Sequence, residues 1–251
     1  MSAVKSLERA LDIIEALSKN GGTATVTQLA AELGIPKSGV FRFLDTLRQR
    51  GYVEQDEDNS RYSLSTGFLA IARSIDTASD LRSLAGPHLL WLRDEAGETV
   101  HLAVPSGGDM VYIDKLDSGQ PVGMASFVGQ RLPLHSTSLG KAYLAHLEEE
   151  ECSRLMSKMY LERRTDRTIV NGRTLSEELA TVKEQGYAID DIENEDGVRC
   201  VGAPIQNAKQ QPVGAISVAA PAYRFSKERA AEVGLYCLEA ARRISADLSI
   251  S

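Results

Sequence analysis

Three observations in the 251-residue sequence predict an α+β fold in two domains. Apolar residues repeat at helical spacing between Leu7 and Leu47, short apolar runs separated by Pro, Gly and Ser turns follow from Thr99, and another helical repeat fills residues 227–248. Strands grouped between helices, without strict βαβ alternation, give an antiparallel sheet with helices packed on it. A chain of this length suits two domains and can bury a core.

The first helix is expected over about residues 6–17, with Leu7, Ala10, Leu11, Ile14 and Leu17 as its apolar stripe, and Asn20-Gly21-Gly22 ends it. Thr27 or Thr25 caps a second helix whose Leu29, Ala30 and Leu33 face inward. In the third helix Val40, Phe43, Leu44 and Leu47 fall at i, i+3, i+4 and i+7, one buried face at about 100° per residue. Ser38, Arg42, Asp45 and Gln49 land opposite. Gly34, Pro36 and Gly51 stand where a turn, a helix start and a helix end are needed. Residues 51–54 and 61–64 then read as two short strands around the polar tip 56–60.

Residues 25–64 therefore read as a winged helix-turn-helix, whose second helix presents a hydroxyl, a guanidinium and an amide on one face, as a major-groove reader does. Arg42 can take two acceptors from a guanine edge or a phosphate, while Lys37 and Ser38 sit at the first turn, where phosphate contacts are made. With Thr46, Gln49 and the wing residue Arg61 they form the expected DNA-binding set. Asp45 either accepts from a cytosine amine or pairs within the helix with Arg42 or Arg48.

Beyond the wing, Ser65 or Thr66 caps a linker helix carrying Phe68, Ile71 and Ile75, and the polar stretch 76–80 completes a connector over residues 66–80. A helix over 81–96 opens the second domain, 81–251, with Leu81, Leu84, His88, Leu89 and Leu92 inward, Pro87 bending it or marking its start, and Gly97 stopping it. Strands are expected at 99–104, 109–113 and 122–125, helices near 140–147, 148–159 and 174–186, strands again at 187–191, 199–205 and 213–219, and a final helix at 227–248. No repeat or low-complexity segment interrupts this order.

The formal charge is -7, yet residues 1–75 hold nine Lys plus Arg against nine Asp plus Glu, so the acidic excess belongs to the second domain. That excludes a protein coating nucleic acid through overall charge, and makes specific binding depend on local geometry and on paired copies. Cys152, Cys200 and Cys237 are odd in number and far apart, so neither a disulfide framework nor a zinc site is indicated and a cytoplasmic setting is expected. No run approaches about 18 apolar residues, which argues against a membrane span. The four histidines, at 88, 101, 135 and 146, lack metal-site spacing, and no cofactor is implied.

Two stretches of the second domain invite a ligand. Ser136-Thr137-Ser138 precedes a helix whose first amides can seat a carboxylate or phosphate, although the hydroxyls can equally serve as caps. Asp190 ends one strand and Cys200 begins the next, so both can point into a cavity and meet hydroxyl groups. His135 with Ser136 or Cys200 is conceivable as base and nucleophile, but nothing in the spacing requires it, and an enzyme is not expected.

The blocks GIPKSGVFRFLDTLRQRGYV, RYSL, LPLHSTSLGKAYLA, EQGYAIDDIENEDGVRCVGAPI and GAISVAAP resemble, in order and over nearly the whole chain, the IclR (isocitrate lyase regulator) family of bacterial transcription factors. The resemblance implies a GAF-like effector domain, homodimers pairing into homotetramers, and small organic acids as effectors. Carried to matching positions, the effector site is Met124, Leu132, Ser138, Leu139, Asp190, Val198, Cys200 and Ser217. Ser138-Leu139 replace a small Gly-Ala pair of some members, and Ala219 a serine, so the ligand does not carry over. RTDRTI and RFSKERAAEVGLYCLEAARRISADL are most similar to the subgroup typified by the 2-keto-3-deoxygluconate-responsive repressor. The expected protein is a repressor binding a nearly palindromic operator as a dimer or dimer of dimers, released by a sugar acid acting through residues 65–75. The alternatives are an activator responding to an aromatic or dicarboxylic acid, and an enzyme on the second domain.

Overall fold

The computed structural model describes residues 4–19, 22–72 and 76–249. It divides into two units, Met1–Asp76 and Thr77–Ser251.

In the first unit, α1 (Lys5–Lys19), β1 (Thr23–Ala24), α2 (Val26–Leu33), α3 (Lys37–Gln49), β2 (Val53–Gln55), β3 (Tyr62–Leu64) and α4 (Gly67–Ala72) follow in order. Thr25 starts α2 through a capping box: its Oγ1 accepts from the Gln28 amide at 3.3 Å and its own amide donates to Gln28 Oε1 at 2.9 Å. Gly34, left-handed at φ 62°, ends that helix. Ile13, Leu17, Leu29, Val40, Leu44 and Tyr62 close the core. The wing strands pair as expected, and the unexpected β1 adds a third strand beside β3.

The stripe expected on α1 is buried at Leu17, half-buried at Ala10 and Ile14, and exposed at its N-terminal end. Ile13, Ala16 and Leu17 are buried, whereas Leu7 and Leu11 are 60% and 50% exposed, because this small core needs only the C-terminal half of the helix. Of the expected stop, Asn20 and Gly21 lie outside the described residues and Gly22 has a φ of 81°. Of the expected linker helix, α4 supplies a short piece, and Ile75 lies outside the described residues. The polar stretch 76–80, expected as connector, belongs instead to α5 (Asp76–Ala96), which carries Pro87 within it and stops at Gly97, φ 69°.

The second unit continues with β4 (Thr99–Ser106), β5 (Asp109–Leu116), β6 (Arg131–Pro133), α6 (Ser138–Ala145), α7 (Glu149–Met156), α8 (Gly172–Gln185), β7 (Ala188–Asp191), β8 (Val198–Gln206), β9 (Pro212–Pro221) and α9 (Lys227–Leu248). Its antiparallel sheet runs β6-β5-β4-β9-β8-β7. Strand alternation splits the core. Val100, Leu102, Val201, Ile216 and Val218 pack with Leu89 of α5 and Val233 of α9, while Ala103, Met110, Leu132 and Ala215 pack with Leu144 of α6 and Leu179 of α8.

The strand expected at 122–125 is a loop. Its carbonyls are taken by side chains, Lys115 Nζ donating to Met124 O and Arg224 Nη2 to Val122 O, both at 2.8 Å, so no ladder forms and β6 occupies the sheet edge instead.

Candidate DNA-reading face and effector site

On α3 the apolar stripe turns inward and leaves Lys37, Ser38, Arg42, Thr46 and Gln49 exposed. Among the described residues no hydrogen bond or ion pair engages the side chains of Lys37, Ser38 or Arg42. Asp45 settles its two alternatives internally: Arg48 Nη2 donates to Oδ1 at 3.1 Å and Gln49 Nε2 to Oδ2 at 2.7 Å. This tethers the Gln49 amide nitrogen, and Thr46 Oγ1 donates to Arg42 O at 2.9 Å. Phe41, 54% exposed between Ser38 and Asp45 on the same face, went unread in the sequence. An aromatic outside the 40/43/44/47 stripe was the available signal.

Arg61, expected beside the adjacent groove or backbone, is engaged within the unit. Its Nε donates to Thr23 Oγ1 at 2.9 Å and its Nη2 to Thr23 O at 2.8 Å, so it braces β1. The wing tip carries Asp56, Glu57 and Asp58, a sign of charge that phosphates repel.

In the second unit the register sets out the candidate ligand side. Asp190, Cys200 and Ala219 lie opposite one another across β7, β8 and β9, and Gly202, Ser217 and His101 across β8, β9 and β4. By alternation these residues, with Val198, share the α6 side of the sheet. Gly202 has to be glycine, since a Cβ there would stand 3.2 Å from Ser138 Oγ and 2.7 Å from Ile216 O. Its bareness lets the start of α6 settle onto the strands. Leu132 and Leu139 belong to the apolar cluster on that side, and Met124 lies in loop 117–130.

Capping falls to Thr137 alone, whose Oγ1 accepts from the Gly140 amide at 3.1 Å and donates to Pro133 O at 2.8 Å. Ser136 Oγ donates to Asn194 Oδ1 at 3.2 Å. Ser138 Oγ and the first-turn amides of Ser138 and Leu139 have no partner among the described residues. Asp190 Oδ1 accepts from the amides of Glu193 at 2.7 Å and Asn194 at 3.3 Å, and burial, followed by the nearby Glu193, raises its pKa to about 7. Lys141 cannot be a ligand's countercharge. Its Nζ already donates to Glu193 Oε1 at 2.6 Å, Glu178 Oε1 at 2.9 Å and Ile189 O at 2.6 Å. Burial alone would lower its pKa, but the two carboxylates outweigh burial and hold it above the usual value.

Cavities of about 730 Å³ between α7 and α8, and about 390 Å³ beside Pro133 and Tyr160, include none of the eight expected effector residues. His135, Ser136 and Cys200 are not arranged as base and nucleophile: His135 Nε2 lies 3.0 Å from Glu162 O, Ser136 is engaged by Asn194, and burial pushes the Cys200 thiol up.

The IclR helix-turn-helix domain family matches residues 6–57, and the family described as bacterial transcriptional regulator IclR C-terminal matches residues 74–246. The chain belongs to the IclR family. The transcriptional repressor IclR of Escherichia coli K12 is 32% identical over 96% of this chain and 89% of its own length, and the E. coli regulator KdgR 34% over 98% and 93%. The crystal structure of Thermotoga maritima IclR superposes with a TM-score of 0.81 at 32% identity, covering 97% of this chain and 98% of that one. An IclR homologue from Microbacterium hydrocarbonoxydans, complexed with 4-hydroxybenzoate, gives 0.80 at 25% identity, covering 98% and 100%. The protein is an IclR-type DNA-binding transcriptional regulator, not an enzyme. Among the described residues no helix is long and apolar enough to cross a membrane.

Proposed function

We propose that this IclR-family chain is a cytoplasmic repressor of a catabolic operon that binds a nearly palindromic operator as a dimer or dimer of dimers and responds to a sugar acid. The observation that carries the reading is the row Ser38, Phe41 and Arg42, exposed on α3 and unspent on internal bonds. A guanidinium free to fork onto a guanine edge is what direct readout requires. Lys37 and Ser38 would position the helix on phosphates, and affinity would fall steeply with salt.

For the effector, support comes from the unpaired groups at the start of α6 and from Asp190, whose carboxyl at a pKa of about 7 can donate to a ligand oxygen. The carboxylate would sit on the Ser138 and Leu139 amides, with Cys200, Ser217 and Val198 beneath and Leu132 and Met124 alongside. Similarity to KdgR favours a sugar acid. The homologue bound to 4-hydroxybenzoate supports a second reading, an aromatic acid.

A thermal-shift screen of aldonates, 2-keto-3-deoxygluconate, dicarboxylates and hydroxybenzoates, followed by an operator mobility shift with the hit, tests both. Preference for aromatic acids over aldonates removes the sugar-acid reading.

A further inference from the structure

Buried polar side chains on the α6 side of the sheet divide into those satisfied internally, such as Lys141 and Thr137, and those left open. His101 is the sharpest of the open ones. It is 1% exposed on β4, its ring stacks on Tyr112 with centroids 4.3 Å apart, and its Nε2 lies 2.7 Å from Ser126 Oγ. Its Nδ1 is buried with no hydrogen-bond partner. An atom left so has given up its water without regaining a bond, a cost that an apolar ring of the same shape avoids.

The neighbours share the condition. Ser217 faces His101 directly across the β4–β9 ladder, and Ser138 Oγ stands over Gly202 beside it. Among the described residues neither hydroxyl has a partner, nor does the Tyr112 phenol. The cation opposite His101 in register, Lys115, is engaged by Met124 O and Asp117. Burial first, then Lys115, holds the His101 pKa down to about 3, so the ring is neutral, with one nitrogen a donor and the other an acceptor. Since the Ser126 hydroxyl can take either role, Nδ1 can be donor or acceptor as a guest requires.

We propose that His101 is an effector contact that sets specificity. Its Nδ1 hydrogen-bonds a hydroxyl or carbonyl oxygen on the skeleton of an organic acid whose carboxylate lies at the first turn of α6. The site thereby selects hydroxy- and oxo-acids over unsubstituted acids of the same length. This rests on the second unit being an acid sensor. A buried polar group built to meet a ligand oxygen rejects the analogue lacking it, because the group is then left unpaired. The same ring, through Nε2 and Ser126, ties the contact to loop 117–130.

Calorimetric titration of the full chain, His101→Phe and His101→Asn with gluconate, 2-keto-3-deoxygluconate, lactate and 4-hydroxybenzoate, each beside its deoxygenated counterpart, tests the assignment. The wild type should prefer the oxygenated acid. His101→Phe, which keeps the ring stack, should lose at least tenfold affinity for it while binding the counterpart unchanged, and His101→Asn should recover part of the loss. The ¹⁵N resonance of Nδ1 in the wild type should move on saturation. Wild-type affinity in a His101→Phe chain that still binds operator, or an unmoved Nδ1 resonance, overturns the His101 contact while leaving the sensor reading intact. Failure of the wild type to bind any of these acids overturns the sensor reading itself.

Discussion

Arg42 and Asp45 are one turn apart on the same helix and illustrate how residue type and local partners divide labour. The carboxylate is neutralised by Arg48 and bonded by Gln49, while the exposed Arg42 guanidinium has no partner among the described residues, as the proposed DNA contact requires. Replacing Arg42 with alanine should cost about 1–3 kcal/mol of operator discrimination, a tenfold to hundredfold loss in a mobility shift, with an unchanged melting profile. Phe41→Ala should relax preference at a single base step without a change in salt slope, since apolar contact to a thymine methyl releases no counterion. Asp190 adds a pH dependence of known sign. Its folded pKa of about 7 lies above the unfolded carboxylate range, so the folded state holds the extra proton and stability falls as pH rises from about 4 to about 7. In an Asp190→Asn chain the side-chain carbonyl still accepts the two amides, and the denaturation midpoint should fall less steeply over that interval than the wild type's. These residues were unequally legible. Arg42 followed from its place opposite the apolar stripe, whereas the burial of His101 depends on which strands flank β4, which periodicity does not reveal.

At the scale of elements, α3 and the final helix were readable because a long amphipathic stripe fixes both type and phase. The strand at 122–125 and the N-terminal end of the α1 stripe were misread because side chains distant in sequence, Arg224 in one case and the small core in the other, decide them. Capping was half legible: Thr25 and Thr27 were both acceptable, and the reciprocal bond from Gln28 selects Thr25. Thr25→Ala should lower stability by about 1 kcal/mol, measured by chemical denaturation. The start of α6 depends on a close approach. A Cβ at Gly140 would lie 2.3 Å from Leu134 O, so Gly140→Ala should destabilise the second unit and abolish acid binding, as calorimetry would record.

Across the whole molecule, one unit reads DNA with a near-neutral charge balance and the other carries most of the acidic excess, so specificity rests on a few aligned side chains rather than on bulk attraction. The family match over both units makes a regulator of the chain, and the proposed effector site is the chemistry gathered beside α6. The most direct test is a footprinting titration of the operator by the full chain, with and without the acid identified by thermal shift. Protection is expected to weaken at least tenfold when the acid is present, and tenfold to hundredfold in Arg42→Ala. Protection indifferent to a bound acid, or unchanged in Arg42→Ala, would contradict that expectation.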